Sequence, residues 1–474
     1  MSKADKFLSS KVANTAYFPI YHLAPPYGWM NDPNGFCYYR DEWHLFYQYN
    51  PYAARWGRMH WGHAKSKDLC CWEHLPVALS PDSRGNDNFL GCFSGSAIDK
   101  DGSLYLMYTG VPFLKQHQML AKSIDGLVFE KLPQPVIPIE NRPPKAARFA
   151  FRDPKIIVKD GCYYSVIGAS CGKGRQVALY ESRDLIQWNY RGSLKTEEKS
   201  KGIFECPDLV FTKNGDILIY SVMYTKTNGL DCQNLHSCFY EIGYADVKTS
   251  TFRAVTEAKE LDKGADFYAP QTTVGADGRV VMVAWMQMWM RSIPTAYLGH
   301  GFAGMMTLPR ELEVRGNTLT QKPIREVYEL FGEGRHTEFN IKDEKEIAGF
   351  CGSVFLLKMK LKYTDGLLLK LRKGEECHTD ILFDHGKITF NRENSGYPIK
   401  GRALDGNCNV RQMYVEPCDL LEVEIFSDSS SIELFINNKQ CMSNTVYPYA
   451  DAEGITFASQ QGALVSTSFH PYKG

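Results

Sequence analysis

The chain has 474 residues, of which 44% are hydrophobic and 23% are charged, a composition typical of a globular protein. Its 54 basic and 54 acidic residues give a formal net charge of zero, so no long-range field attracts nucleic acid or an anionic membrane. A chain of this length exceeds what one hydrophobic core usually supports. We therefore expect two domains and neither a nucleic-acid nor a membrane partner.

Several features of the sequence bear on its cellular compartment. The first twenty residues lack the continuous apolar stretch of a signal peptide, no later segment is apolar enough to span a bilayer, and no Asn-x-Ser/Thr sequon occurs. The 14 cysteines form no CxxC pair and no Cys/His cluster with zinc spacing, and their even number leaves disulfides open. These features favour the cytoplasm, with secretion as the alternative if a signal peptide was removed.

One cassette, made of a strand, a tight polar turn and a second apolar strand, occurs five times at intervals of about sixty residues. Its turns lie at 40–42, 100–102, 159–161, 213–215 and 276–278. Asp-Gly and Asn-Gly between apolar runs favour hairpins, because a type I′ turn needs a positive φ at both central residues. A period of this length predicts a β-propeller, here with five blades over residues 20 to about 310.

A Ser-x-Asp pattern follows three of the hairpins, at 66–68, 123–125 and 182–184, and each leads to an aromatic residue. We interpret these segments as edge turns whose Ser and Asp side chains bind backbone N–H groups. The aromatic residue then packs between blades.

The pattern changes near residue 335, where strands of five to ten residues follow one another without the sixty-residue period. This is typical of a β-sandwich. The predicted fold class is therefore all-β, a five-bladed β-propeller followed by a β-sandwich domain. We expect the propeller at residues 1–315, a linker with a short helix near 323–331 at 316–334, and the sandwich at 335–474.

Carboxylates occupy equivalent positions in three of the five cassettes, just upstream of the hairpin. They are Asp32, Asp153 and Glu205. Because the innermost strands of a propeller start around one end of its channel, these acids are predicted to share one funnel. A single Asp-Pro unit would be explained as a turn that starts a strand, but three acids in register favour a common site.

Three acids without His or Cys ligands suit proton transfer and cation stabilisation better than a transition-metal site, and no metal or cofactor is predicted. A pair of carboxylates flanking a scissile bond is the equipment of glycoside hydrolysis. The neighbouring aromatic side chains offer a flat apolar face to a sugar ring, while Asn, Gln and Arg can hydrogen-bond its hydroxyls.

These segments resemble the motifs of glycoside hydrolase family 32, the invertases and β-fructofuranosidases. The main matches are WMNDPNG at 29–35, FSGS at 93–96, RDP at 152–154 and ECP at 205–207, in the order and spacing of the family. Supporting matches lie at 46–51, 60–64, 266–269, 308–312 and 428–435. Together they extend over nearly the whole chain.

The resemblance implies a retaining hydrolysis of sucrose, or of a related fructo-oligosaccharide, to fructose and glucose through a fructosyl-enzyme. Asp32 would attack the anomeric carbon, Glu205 would act as general acid and then base, and Asp153 would stabilise the oxocarbenium-like transition state. The substrate-binding residues that it implies are Asn31, Gln48, Trp56, Phe93, Ser94, Arg152, Tyr268 and Trp285.

Two segments depart from the family pattern: Phe302 stands where Trp is expected, and the stretch 286–300 is rich in Met. We expect both toward the pocket rim, which leaves sucrose, sucrose 6-phosphate and fructans as candidate substrates and fructosyl transfer as a candidate reaction. A phosphate would need a nearby cation, for which Arg55, Arg58 and Arg291 are candidates. A carbohydrate-binding propeller without catalysis is the rival of another class.

Overall fold

The computed structural model describes residues 2–14, 16–200, 202–362, 366–450 and 452–474. Five sheets of four or five strands follow one another from Gly28 to Pro323, and two six-stranded sheets extend from Arg335 to Pro471. The predicted fold class, an all-β propeller of five blades followed by a β-sandwich, is confirmed.

The blades are successive antiparallel sheets. Blade one contains β1 (Gly28–Tyr39), β2 (Glu42–Asn50), β3 (His60–Ser66) and β4 (Glu73–Leu79). Blade two contains β5 (Gly91–Lys100), β6 (Ser103–Val111), β7 (His117–Ser123) and β8 (Glu130–Lys131). Blade three contains β9 (Phe151–Lys159), β10 (Cys162–Cys171), β11 (Gly174–Ser182) and β12 (Asn189–Glu197). Blade four contains β13 (Phe204–Val210), β14 (Asp216–Met223), β15 (His236–Asp246), β16 (Thr251–Ala254) and β17 (Lys259–Glu260).

Blade five closes the ring. It begins with β18 (Tyr268–Val274) and β19 (Val280–Trp285), and β20 (Phe302–Ala303) then leaves the blade to pair in parallel with β1. The blade resumes with β21 (Arg310–Arg315) and β22 (Thr318–Pro323). The strand β22 therefore extends the propeller past the predicted limit at residue 315, because the turn at 316–317 connects two strands of one blade.

The five polar turns join the first and second strands of the five blades, as predicted. In blades one to three both central residues have a positive φ, and they are Arg40 and Asp41, Asp101 and Gly102, and Asp160 and Gly161. Blades four and five have longer connections in which only Gly215 and Gly278 adopt a positive φ. The type I′ expectation is wrong for these two blades, because the additional loop residues share the reversal of the chain.

The Ser-x-Asp turns have the predicted capping. In the third, Ser182 Oγ accepts the Leu185 N–H at 2.9 Å and Asp184 Oδ1 accepts two further N–H groups at 2.8 Å. The indole of Trp188 donates to the Leu185 carbonyl at 2.9 Å. The same caps occur in the other two turns, so the blade edges are held by local hydrogen bonds.

Helices are few and short. They are α1 (Lys3–Leu8), α2 (Pro294–Tyr297) and two 3-10 helices, Ile139–Asn141 and Arg325–Leu330. The last coincides with the predicted helix near 323–331, whereas α1 was missed although Ser2 and Asp5 form a capping box there. No helix in the described ranges has both the length and the apolar character needed to cross a membrane.

The sandwich strands are β23 (Arg335–Ile341), β24 (Lys345–Cys351), β25 (Phe355–Leu361), β26 (Leu367–Lys373), β27 (Thr379–Asp384), β28 (Lys387–Asn391), β29 (Val410–Tyr414), β30 (Leu421–Asp428), β31 (Ser431–Ile436), β32 (Gln440–Thr445), β33 (Gly454–Ser459) and β34 (Ala463–Pro471). One sheet has the order β23-β34-β25-β30-β31-β32 and the other β24-β33-β26-β27-β28-β29. Inward-facing side chains of both sheets form one apolar core, for example Leu357, Leu369, Ile425 and Phe457. All 14 cysteines are free thiols.

Buried carboxylates of the sandwich bind donors of the propeller where the two domains meet. Asp428 accepts the backbone N–H of Ile20 at 2.8 Å, and Glu433 accepts that of Leu308 at 2.7 Å. The imidazole of His22 lies between them, with Nδ1 2.8 Å from Asp428 and Nε2 3.0 Å from Glu433. Burial by itself lowers the pKa of His22, but the hydrogen bonds to both carboxylates outweigh it and raise that pKa to about 9. His22 is therefore an imidazolium that donates from both nitrogens.

Replacing His22 is expected to destabilise the protein in a pH-dependent way. A raised pKa contributes stability that is complete below pH 6.5, the ordinary value, and is lost as the pH rises through 9. His22→Gln should lower the free energy of unfolding by at least ~2 kcal/mol at pH 6, because one buried carboxylate loses its charged partner, and by less at pH 9.5. Urea unfolding at both pH values measures this, with the exposed His336→Gln as control. Equal losses at the two pH values would contradict the charged assignment.

Candidate active site

Every innermost strand of the propeller carries a β-bulge at the same place, within the motif that the sequence analysis identified. In each bulge two residues oppose one on the neighbouring strand, and the bulges lie between Met30 and Pro33, Phe93 and Gly95, Arg152 and Lys155, Glu205 and Asp208, and Tyr268 and Gln271. A bulge bends its strand and redirects its side chains. The five bulges therefore turn the motif side chains toward the channel.

Three of the bulges contain a non-glycine residue with a left-handed backbone. Asp153, Cys206 and Ala269 have φ values of 65°, 45° and 53°, and each is followed by proline. Proline is tolerated here because a bulge leaves a backbone N–H outside the ladder. Such conformations cost about 1–3 kcal/mol each and persist where the surrounding structure imposes them, which is typical of a functional site.

A cavity of about 390 Å³ opens at this end of the channel. Its walls are formed by Asn31, Asp32, Gln48, Trp56, Phe93, Ser94, Arg152, Asp153, Glu205, Cys206, Met223, His236, Tyr268, Trp289 and Met290. The structure thus brings the three predicted acids and all but one of the predicted binding residues into one cavity. Their catalytic and binding roles stay predictions.

Trp285 is the exception. It lies in β19, is fully buried, and contacts the rings of Trp29 and Trp289. Trp289 lines the cavity in its place. Phe302, expected near the rim, packs against Phe18 and is not among the lining residues, so of the two unusual segments only 286–300 reaches the cavity.

Four lining residues lie outside the motifs, and two of them, Trp289 and Met290, belong to the segment 286–300 that was expected near the rim. Met223 and His236 face each other across the β14–β15 pair, and Trp289 and Met290 follow β19. The signal for the first two was their position at the channel end of a blade hairpin. Nδ1 of His236 accepts the Tyr224 N–H at 2.9 Å, and burial lowers the pKa of His236 to about 4, so this imidazole is neutral.

Asp32 receives hydrogen bonds from neutral donors. Ser94 Oγ donates to Oδ2 at 2.6 Å and Asn31 Nδ2 donates to Oδ1 at 3.0 Å. Asn31 is itself oriented by the Trp29 indole, which donates to its Oδ1 at 2.7 Å. Burial raises the pKa of Asp32, the two hydrogen bonds oppose that effect, and the charge of Glu205 adds to it. These two hydrogen bonds fix the orientation of the carboxylate, and none of the described residues forms an ion pair with it.

Glu205 lies in a different setting. Arg152 Nη2 donates to Oε1 at 2.6 Å, and the Tyr268 hydroxyl donates to Oε2 at 2.5 Å. The two oxygens are held by groups from blades three and five, while Glu205 belongs to blade four. This arrangement fixes both the position and the plane of the carboxyl group.

Cys206 lies between Asp153 and Asp32 and contacts both carboxyl groups. The Cys206 N–H donates to Asp153 Oδ2 at 3.0 Å, and the Cys206 thiol lies 3.7 Å from Asp32 Oδ2 and 3.8 Å from Asp153 Oδ2. Burial raises the pKa of Asp153 to about 7; Arg152 opposes this, and the charges of Glu205 and Asp32 add to it. Burial and the same carboxylates raise the pKa of the Cys206 thiol, which therefore stays protonated beside them.

The cavity contains carboxyl groups with different charged and hydrogen-bonding neighbours, together with aromatic and amide side chains. This combination is typical of the active site of a glycoside hydrolase. Residues 22–323 match the model of the glycosyl hydrolases family 32 N-terminal domain, and residues 326–473 match that of the family 32 C-terminal domain. The chain belongs to glycosyl hydrolase family 32, and it is a glycoside hydrolase.

Two relatives and two solved structures are similar to this chain over more than nine tenths of their length. The chain is 34% identical to a sucrose-6-phosphate hydrolase of Zymomonas mobilis, covering 98% of this chain and 94% of that protein. It is 34% identical to the raffinose invertase of Escherichia coli, covering 97% and 95%. A GH32 β-fructofuranosidase of Bombyx mori, solved in complex with sucrose, superposes with a TM-score of 0.85 at 32% identity over 99% of this chain and 97% of that one. A sucrose-6-phosphate hydrolase of Lactobacillus gasseri superposes with a TM-score of 0.87 at 27% identity over 99% and 96%.

The raised pKa of Asp153 predicts that the free energy of unfolding depends on pH. Between pH 3.8 and 7 the native state keeps a proton that the unfolded chain has lost, so the free energy of unfolding falls as the pH rises through this window. Asp153→Asn has no such proton to lose and should be more stable than the wild type at pH 8, by at least ~1 kcal/mol, with little difference at pH 4. Urea unfolding at the two pH values tests this, with Asp160→Asn in an exposed hairpin as control. Parallel pH profiles for Asp153→Asn and the wild type would contradict the assignment.

Proposed function

We propose that the protein is a retaining β-fructofuranosidase that hydrolyses sucrose to fructose and glucose through a covalent fructosyl-enzyme. The observation that carries this proposal is that Asp32 and Glu205 line one cavity but have different hydrogen-bond partners. Asp32 is bound by neutral donors, and Glu205 is held by Arg152 and Tyr268. The β-fructoside substrate is supported by the relatives, which include an invertase and a β-fructofuranosidase solved with sucrose.

Asp32 is the nucleophile in this mechanism. Its hydrogen bonds from Ser94 and Asn31 oppose the rise in pKa that burial causes, and they orient the carboxylate. An oxygen of Asp32 attacks the anomeric C2 of the fructosyl unit, the bond from C2 to the glycosidic oxygen breaks, and an ester to the enzyme forms.

Glu205 supplies and then removes a proton. In the first step its carboxyl proton passes to the glycosidic oxygen, and glucose leaves. In the second step the Glu205 carboxylate takes a proton from water, whose oxygen attacks C2, and the ester to Asp32 breaks with release of fructose. The contacts of Arg152 and Tyr268 with its two oxygens keep the group in place through both steps.

The remaining lining residues bind the sugar. Asp153 accepts from and Arg152 donates to fructosyl hydroxyls. The ionised form of Asp153, which its raised pKa confines to pH values above about 7 in the free protein, stabilises the oxocarbenium-like transition state. The Gln48 amide is oriented by its bond to the Cys92 carbonyl at 2.8 Å. Trp56 and Phe93 meet edge to face, with ring centroids 6.4 Å apart, and offer an apolar face to the substrate.

Mutation of the two acids should separate their roles. With an activated fructoside, Glu205→Gln should still form the fructosyl-enzyme, because a good leaving group needs no proton, and azide should then restore turnover and give β-fructosyl azide. Asp32→Asn is the matched control; it should keep less than about a thousandth of the wild-type kcat and yield no β-azide. NMR of the product reports its anomeric configuration. An α-fructosyl azide from Glu205→Gln, or turnover by Asp32→Asn near the wild-type rate, would overturn the double displacement.

The charges around the cavity favour sucrose over sucrose 6-phosphate. Among the described residues that line it, Arg152 is the single cation, and it is paired with Glu205. Of the three arginines considered for a phosphate, Arg291 is fully buried between Asp266 and Asp405, while Arg55 and Arg58 are exposed and absent from the cavity wall.

We therefore expect kcat/KM to be at least about tenfold higher for sucrose than for sucrose 6-phosphate, because the phosphate would lose hydration without gaining a paired cation. Initial-rate measurements on one preparation, with kestose-type oligosaccharides as a third substrate, test this. A higher kcat/KM for sucrose 6-phosphate would reverse the substrate assignment and leave the mechanism untouched.

A further inference from the structure

The sandwich reaches the wall of the cavity through one long loop. This connection, residues 392–409 between β28 and β29, is defined here as the sandwich loop. It runs beside the segment 289–292 of blade five, whose first two residues, Trp289 and Met290, line the cavity. Connections longer than about 12–15 residues without secondary structure are usually functional or disordered, and this one is ordered against the other domain.

Backbone hydrogen bonds align the two segments. The Arg402 N–H donates to the Met290 carbonyl at 2.9 Å, and the Ser292 N–H donates to the Lys400 carbonyl at 2.9 Å. The Lys400 N–H in turn donates to Ser292 Oγ at 2.8 Å. Three hydrogen bonds therefore join the cavity segment to the sandwich loop.

Arg291 anchors this segment at the domain boundary. Its guanidinium is fully buried, and it forms a two-point ion pair with Asp405 of the sandwich loop, Nε to Oδ2 at 2.6 Å and Nη2 to Oδ1 at 3.1 Å. The other donors are taken by Asp266 at 3.0 Å, Asn234 at 3.0 Å and the Ala265 carbonyl, all in the propeller. Asp405 is thus the sandwich group that fixes Arg291.

The neighbours of Arg291 form the outer part of the cavity. Trp289 and Met290 are partly exposed, whereas Asn31 and Ser94, deeper in the cavity, are 3% and 5% exposed. The deep residues surround the acids that act on the terminal fructosyl unit. The outer wall, formed by Trp289 and Met290, therefore faces the glucosyl leaving group. Met290 has a left-handed φ of 67°, a conformation that persists only where its surroundings impose it.

We propose that Asp405 is a positioning residue for the leaving group: its ion pair with Arg291 holds Trp289 and Met290 in the conformation that binds the outer sugar. This inference rests on the proposed function. Asp405 touches no substrate and acts through Arg291. The sandwich domain thereby contributes to substrate selection without lining the cavity.

The decisive variant is Asp405→Asn, which keeps the volume and one acceptor oxygen but removes the charge opposite Arg291. KM for sucrose should rise at least fivefold while kcat changes less than threefold, because the acids keep their contacts and only the outer wall moves. Competitive inhibition by fructose, which occupies the deep part of the cavity, should change less than twofold.

A matched control separates positioning from general damage at the domain boundary. Glu433→Gln also neutralises a fully buried sandwich carboxylate that pairs with a propeller arginine, Arg310 at 3.0 Å, but its partners are not among the cavity residues. It should leave the KM for sucrose within twofold of the wild type.

A second variant keeps every charge. A Cβ at Gly401 would lie 2.7 Å from Asp405 Oδ2, so Gly401→Ala should push that carboxylate away from Arg291 and raise KM at least twofold even if Asp405→Asn fails to fold.

Unchanged KM in both sandwich-loop variants, or equal increases in the sucrose KM and the fructose inhibition constant, would overturn the proposal. The same increase in Glu433→Gln would also do so. Absence of sucrose turnover by the unmodified protein would instead refute the proposed function, and this inference with it.

Discussion

The β-bulge at the start of each innermost strand is the constraint on which the site depends. A regular strand would send alternate side chains into the neighbouring blades, and the acids of blades one, three and four would then be separated by packed sheets. With two residues opposing one, each strand bends at the motif and directs a side chain into the channel. The left-handed φ of Asp153 and Cys206 is part of this geometry. The bulged geometry strains the backbone, but it brings three carboxyl groups into one cavity.

Burying charge without loss of the fold requires partners, and the molecule meets this requirement in two ways. At the cavity each of these acids accepts hydrogen bonds from other blades: Arg152 and Tyr268 donate to Glu205, and Ser94 donates to Asp32. At the domain boundary, His22 and Arg291 are each satisfied by carboxylates from the sandwich. Because removing one partner of a buried ion pair is strongly destabilising, these pairs couple the stability of the two domains.

Much of this could be predicted because the signals are local. The turn residues at 100–102 and 159–161 carry the conformational preference for a hairpin in the residues themselves, and Ser182 with Asp184 caps its turn through neighbours two or three positions away. The acids were found because a repeat makes equivalent positions comparable. Trp285 was placed on the cavity wall wrongly, since whether a strand end faces the channel or the core depends on what packs beside it, here Trp289.

The sequence by itself determined the all-β class, the five blades, the sandwich and the three acids that share the cavity, because periodicity and turn chemistry are properties of short segments. The tertiary structure alone decided which residues complete the cavity, with Trp289 lining it instead of Trp285, and which groups bear their ordinary charge. It also decided that Arg291 is bound within the domain boundary and is unavailable to a phosphate. The burial of Arg291 depends on its ion pair with Asp405, which lies 114 positions away, and no local pattern in the sequence encodes that contact.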